Sequence, residues 1–273
     1  MNLLLTFIFL GCFSVLGHRH YRSKNDVLLT LKNALHQLWR LPSSLLCIAS
    51  VGLVTRILSE NNRFASQLPL HLQVYSLEIF LYSLLSLAAY TSTLLIHITF
   101  REKRDRITSL LATTFITASI IFVYSNFTQL VYPNLKLREK DDILLQSHPM
   151  SCASASFANI ARFHGIELSE QDAARLQGTT VLGTTPAQIV LAAQKLNFNT
   201  KIFHQKQISE VTLPAIIYVD TRFGKEAHAI VLASAQTYQV EVWDPDKGRQ
   251  YWPYETLKKR WHGNGISMTL NDR

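Results

Sequence analysis

Cysteine is scarce in this sequence, with three in 273 residues. Cys12 and Cys47 lie inside apolar runs, where a cysteine is normally a small packing residue. Cys152 stands alone in the polar C-terminal half. That half therefore holds no internal disulfide, and its unpaired thiol raises the question of reactivity. Other absences narrow the function. No G-x-x-x-x-G-K-[ST] motif occurs, so no P-loop ATPase is encoded here. His148, His164, His204 and His262 are scattered without metal-ligand spacing, and no metal or other cofactor is expected. No basic helix with interleaved aromatics occurs in the C-terminal half, which argues against a nucleic-acid partner. The apolar runs hold His97 but no facing series of ionisable groups, which argues against an ion pathway. No basic residue precedes the first apolar run, which disfavours a cleaved signal peptide or a lipoprotein site at Phe9-Leu10-Gly11-Cys12.

What is present divides sharply near residue 133. The chain is 48% hydrophobic and 17% charged, with a net charge of +8. Residues 1–132 carry 11 Lys and Arg against 5 Asp and Glu; the remainder carries 16 against 14. Four apolar segments in the first part are candidate membrane spans: Leu3 to Leu16, Pro42 to Leu58, Leu70 to Phe100 and Ile107 to Tyr132. A span needs about 20 apolar residues, and the last two meet that length. Arg19, Arg22, Lys24, Lys32 and Arg40 precede the second segment, and Arg101, Lys103, Arg104 and Arg106 follow the third. Basic tracts stay cytoplasmic, which predicts an integral protein of the cell (inner) membrane with its C-terminal domain outside the cytoplasm. Val27, Leu28, Leu31, Leu35, Leu38 and Trp39 recur at helical spacing, as a helix lying on the membrane surface or packing against the bundle would require.

The predicted organisation is a membrane region at 1–132, a linker at 133–145 and a soluble domain at 146–273. In that domain a helix starts at Met150 or Ser151 and stops at Gly165. Ser169 and Asp172 cap a second helix, and Thr185-Pro186 opens a third. Apolar runs at Ala215–Val219, His228–Ala233 and Val240–Trp243 then read as strands. Arg249–Trp252 adds a strand, Tyr254–Trp261 a helix and Ile266–Leu270 a last strand. Helices followed by an antiparallel sheet make an α+β domain.

Cys152 falls at the N-terminal end of its helix, where free N–H groups and the helix dipole favour a thiolate. A histidine is the natural base for such a nucleophile. A hairpin turning at Ala235-Gln236-Thr237 pairs Leu232 with Val240, Ile230 with Val242, and His228 with Asp244. Paired residues share a face, so the apolar pairs line the core and that face ends in a His–Asp pair. A carboxylate beside the imidazole fixes its tautomer and orientation.

The segments Gln146-Ser147-His148-Pro149-Met150-Ser151-Cys152, His228-Ala229-Ile230-Val231-Leu232 and Trp243-Asp244-Pro245 carry a family likeness. They resemble the bacteriocin-processing, double-glycine-leader peptidases, family thirty-nine of the cysteine peptidases, which have a papain-like fold. His164-Gly165-Ile166, Gly183-Thr184-Thr185-Pro186, Leu196-Asn197-Phe198 and Trp261-x-Gly263 extend the likeness over about residues 143 to 270. The resemblance implies Cys152 as nucleophile, His228 as base and later acid, and Asp244 as the group that orients it. It implies Gln146 as an oxyanion donor beside the Cys152 N–H. Ala153 stands where the family usually has glycine. Leader-cleaving members precede an exporter in their chains, whereas here apolar segments come first.

The expected function is that of a membrane-anchored cysteine peptidase acting on an exported peptide or protein, with the lipid bilayer as its other partner. Two rival readings are a catalytically silent peptide-binding module and a cytoplasmic double-glycine leader peptidase serving a separate export machinery.

Overall fold

The structure, a computed structural model, describes residues 15, 40–59, 70–101, 114, 118–119, 121–122, 124–126, 128–205, 207–221 and 224–271. The chain divides into two compact units, residues 1–56 with 75–126, and residues 57–74 with 127–273. The expected first span and the surface helix at 27–39 lie outside the described residues, apart from Val15.

The first unit is built on α1 (Arg40–Ser59) and α2 (Leu70–Arg101). Gly52 allows them to meet closely, because a Cβ there would lie 2.9 Å from the Ser76 carbonyl oxygen and 2.8 Å from the Phe80 nitrogen. Leu81, Leu85 and Tyr124 are buried together. Leu46, Ile48, Val51, Leu53 and Val54 of α1 stay exposed. Among the described residues one stretch, Leu72–Thr93 of α2, is long and apolar enough to cross a membrane. In α1 the apolar stretch is shorter, Leu45–Thr55, because Ser43, Ser44 and Arg56 flank it. The fourth expected span reached Tyr132, but the chain leaves it earlier. Leu130 bridges Thr180, and Tyr132–Asn134 forms a 3-10 turn that contains Pro133.

In the second unit, helices α3 (Cys152–Phe163), α4 (Glu170–Gln177) and α5 (Pro186–Lys195) come first, as expected. Gly165, at φ +79°, takes the left-handed conformation that stops α3. Ser169 accepts the Asp172 N–H at the start of α4, and Thr185 and Gln188 form a capping box for α5. Six antiparallel strands follow: β3 (Phe198–His204), β4 (Ala215–Thr221), β5 (Gly224–Ala235), β6 (Gln239–Asp244), β7 (Gly248–Pro253) and β8 (Trp261–Leu270). Their order across the sheet is β3-β8-β4-β5-β6-β7.

Alternation along the strands divides the core into two layers. Ile216, Val231, Trp243, Ile266 and Met268 pack with Phe157 and Ile160 of α3 and Ile189 of α5. Ile217, Ile230, Leu232, Val240 and Val242 pack with Trp252, Trp261 and Leu257. Leu257 belongs to a short helix, α6 (Tyr254–Arg260). Phe157 is fully buried; Phe157→Ala would cost about 3–5 kcal/mol through lost transfer energy and the cavity left.

Three expectations need correction. Residues 133–145 are not a free linker. A two-stranded hairpin, β1 (Glu139–Lys140) and β2 (Ile143–Leu144), folds there, and the apolar Ile143 and Leu144 join the core. Strand β3 was not anticipated, since its apolar residues fall on both faces and give no clean alternation. The β5–β6 register also differs by two residues. Leu232 faces Val242 and Val231 faces Trp243, the turn runs over Gln236–Gln239, and a bulge intervenes after Leu232. An even shift keeps each side chain on its face, so the apolar layer survives. Continuing that register sets Asp244 across from Ile230, one diagonal step from His228.

Candidate active site

Cys152 occupies the first position of α3, half-buried and unpaired. No side chain caps this helix; the Ser151 hydroxyl instead donates to the His148 carbonyl at 2.7 Å and accepts the His148 N–H. The N-terminal end of α3 is thus left open to a ligand or to the sulfur itself. A buried polar network anchors the first turn from behind. Ser154 Oγ donates to Gln177 Oε1 at 2.7 Å and shares a 2.8 Å bond with Thr179 Oγ1, which bonds in turn to Thr184.

His228 lies on β5, where its partner on β4 is Val219. Its Nε2 meets Asp244 Oδ1 at 2.7 Å, and Cys152 lies close enough to the ring to act on its protonation. With Nε2 engaged by the carboxylate, Nδ1 is the ring nitrogen left for the sulfur. Asp244 is 1% exposed. The same Oδ1 accepts the Asp246 N–H at 3.0 Å, an Asx turn that sets the carboxylate's direction. Burial pulls the His228 pKa down. The bonds to Asp244 and Cys152, with the charges of both, outweigh it and raise the pKa to about 9. Burial pushes Asp244 up, but the His228 bond and charge, the Asp246 N–H and Lys247 bring it below the ordinary carboxylate value. Both neighbours thus favour the charged form of the imidazole.

Gln146 follows β2. Its N–H donates to the Pro245 carbonyl at 2.7 Å and its own carbonyl accepts from Arg138 Nη1. Its side-chain Oε1 is buried without a hydrogen-bond partner among the described residues. The structure thus bonds His228 to Asp244 with Cys152 beside the ring, and ties Gln146 to the residue after Asp244 through the main chain.

Two supporting groups were not apparent in the sequence. Asn159 on α3 binds both the N–H and the carbonyl of Leu144, at 2.8 and 2.9 Å, and so fixes the strand leading to Gln146. Glu170 grips Ser147, with Oε1 on its N–H at 2.9 Å and Oε2 on its hydroxyl at 2.8 Å. Both pairs join residues far apart in sequence, so no local pattern exposes them. The other histidines stand elsewhere. His148 accepts the Met150 N–H, His164 packs on Phe163 and Phe198, His204 bonds Asn264, and His262 bonds Asp220.

Residues 140–273 match the family model of the Peptidase C39 family. The chain belongs to that family. Its C39 domain is therefore the domain of a cysteine peptidase, as the motifs implied. The chain is 31% identical over 122 residues to an uncharacterized protein of Methanothermobacter marburgensis, covering 45% of this chain and 84% of that protein. It is 26% identical over 125 residues to LagD of Lactococcus lactis subsp. lactis, a lactococcin-G-processing and transport ATP-binding protein, covering 44% of this chain and 18% of LagD. The peptidase domain of Streptococcus ComA, a bi-functional ABC transporter involved in quorum sensing, aligns over 46% of this chain and 96% of its own. That alignment has 27% identity and a TM-score of 0.43. Ala153, where the family usually carries glycine, is buried in the first turn of α3.

Proposed function

We propose that this C39 domain is a membrane-anchored peptidase working through a Cys152–His228–Asp244 triad, with Gln146 as oxyanion donor, on an exported peptide or protein. One observation carries the reading: a single imidazole bonded on Nε2 to a buried carboxylate at 2.7 Å, with an unpaired thiol near enough to raise its pKa. In this reading the Cys152 sulfur attacks the scissile carbonyl as a thiolate, and charge collects on the carbonyl oxygen. The Cys152 N–H and the Gln146 amide donate to that oxygen; losing one such donor typically costs about 10²–10³ in turnover. His228 gives its Nδ1 proton to the departing amine, leaving a thioester on Cys152. Water then loses a proton to His228 and displaces the sulfur, which restores the starting state. Asp244 holds the ring with Nδ1 toward the sulfur throughout.

Anchoring is supported by the apolar stretch Leu72–Thr93, by the exposed aliphatic side chains of α1 and by the basic tracts around the apolar segments. The charge pattern favours an extracytoplasmic domain. A reporter fused after Arg273 tests this: it should be active only outside the cytoplasm, and cytoplasmic activity would overturn that placement. LagD, which joins processing to transport, favours a second reading, a cytoplasmic leader peptidase that passes its double-glycine substrate to a separate exporter.

The triad is tested by the alkylation of Cys152 with iodoacetamide. The wild type should label rapidly at neutral pH and His228→Ala slowly. Equal, slow labelling of both would favour a catalytically silent peptide-binding module.

A further inference from the structure

Glu170 is 2% exposed, a carboxylate at the first position of α4 with both oxygens engaged by one residue, Ser147. Burying a carboxylate is costly unless its oxygens are well bonded, so such a group needs a reason to be there. The position of Ser147 supplies one. It directly follows Gln146, and its hydroxyl also accepts the Lys136 N–H at 3.0 Å while donating to Glu170. On the other side of Gln146, the Leu145 N–H is held by the Arg138 carbonyl at 2.8 Å. The Gln146 N–H and carbonyl are themselves held by Pro245 and Arg138. The main chain at Gln146 is therefore fixed from both sides, and its buried, unpartnered Oε1 shows that its amide is not held by structural bonds at that oxygen.

We propose that Glu170 is a positioning residue for the oxyanion donor: through Ser147 it fixes the Gln146 main chain, so that the side-chain amide meets the developing oxyanion. The proposal rests on the reading of Gln146 given above. Glu170 touches neither substrate nor reacting atoms. Its influence passes through one peptide unit and should appear in the steps that build charge on the carbonyl oxygen, acylation and thioester hydrolysis. Alkylation of Cys152 by iodoacetamide generates no oxyanion, so it reports on the sulfur and His228 without reporting on Gln146.

The test uses the full chain with a peptide substrate and a Gln146→Ala background. Glu170→Ala should lower kcat by roughly 10- to 100-fold, as misplacement of a donor does. KM, the alkylation rate of Cys152 and its pH profile should stay unchanged. Glu170→Gln keeps one acceptor for the Ser147 N–H and should recover most of that loss. In the Gln146→Ala background neither substitution should lower kcat further. Should Glu170→Ala not fold, Glu170→Gln carries the test, with a loss of a few-fold that vanishes in the same background. An undiminished kcat, a parallel fall in alkylation, or a loss that persists without Gln146 would overturn the proposal. Gln146→Ala on its own reports separately on the underlying reading: if that variant keeps full kcat, Gln146 is not the donor.

Discussion

Two histidine–aspartate pairs sit on the same sheet and look alike in distance but not in setting. His228 meets Asp244 at 2.7 Å with side chains 13% and 1% exposed, whereas His262 meets Asp220 at 2.8 Å with side chains 45% and 26% exposed. In the first pair a third group, Cys152, lies near enough to raise the ring's pKa, and the carboxylate is fixed further by the Asp246 N–H. In the second, water reaches both partners and screens their attraction. A short contact alone does not make a catalytic pair. The proposed triad rests on burial and on the neighbouring thiol, which the second pair lacks among the described residues.

Breaking the buried pair should have the largest effects. His228→Ala should lower kcat/KM by about 10⁴-fold or more, as removal of a general base does in comparable triads, measured on a peptide substrate. Asp244→Asn, which preserves shape but misdirects the tautomer, should cost roughly 10²- to 10⁴-fold in the same assay.

The pH dependence sharpens the contrast. The His228 pKa stands at about 9 in the fold against 6.5 for an unperturbed ring. The pair's contribution to stability is then fully present below about 6.5 and lost as pH rises through about 9. The thermal midpoint of the wild type should fall across that window, and His228→Ala should flatten the fall. Turnover should decline above about 9, as the proton needed by the leaving amine is lost. Smallest of all, His262→Ala should change stability by no more than about 1 kcal/mol and leave turnover intact, as exposed ion pairs do. A large loss of turnover in His262→Ala would erase the distinction between the pairs.

Much of this site could be read from the sequence because its determinants are local. Cys152 at a helix start, the apolar alternation that places His228 and Asp244 on one face, and Pro186 opening α5 each follow from short patterns. The exact β5–β6 register did not follow. A four-residue turn over Gln236–Gln239 and a bulge after Leu232 are both compatible with the same alternation, and only an odd shift would have exposed the core. Strand β3 was missed because Phe198, Ile202 and Phe203 do not share one parity, and its pairing with β8 is long-range. The Glu170–Ser147 grip joins residues 23 apart, and nothing in either neighbourhood marks it.

The Asp244–Pro245 peptide has a consequence for how the site tolerates motion. The carboxylate of one residue steers the imidazole, and the carbonyl of the next holds the Gln146 N–H. In the proposed mechanism the acid–base and oxyanion groups thus share a single covalent mount, stiffened by a proline ring. A displacement of the β6–β7 hairpin would carry both together. An inserted residue at that mount would disturb both together.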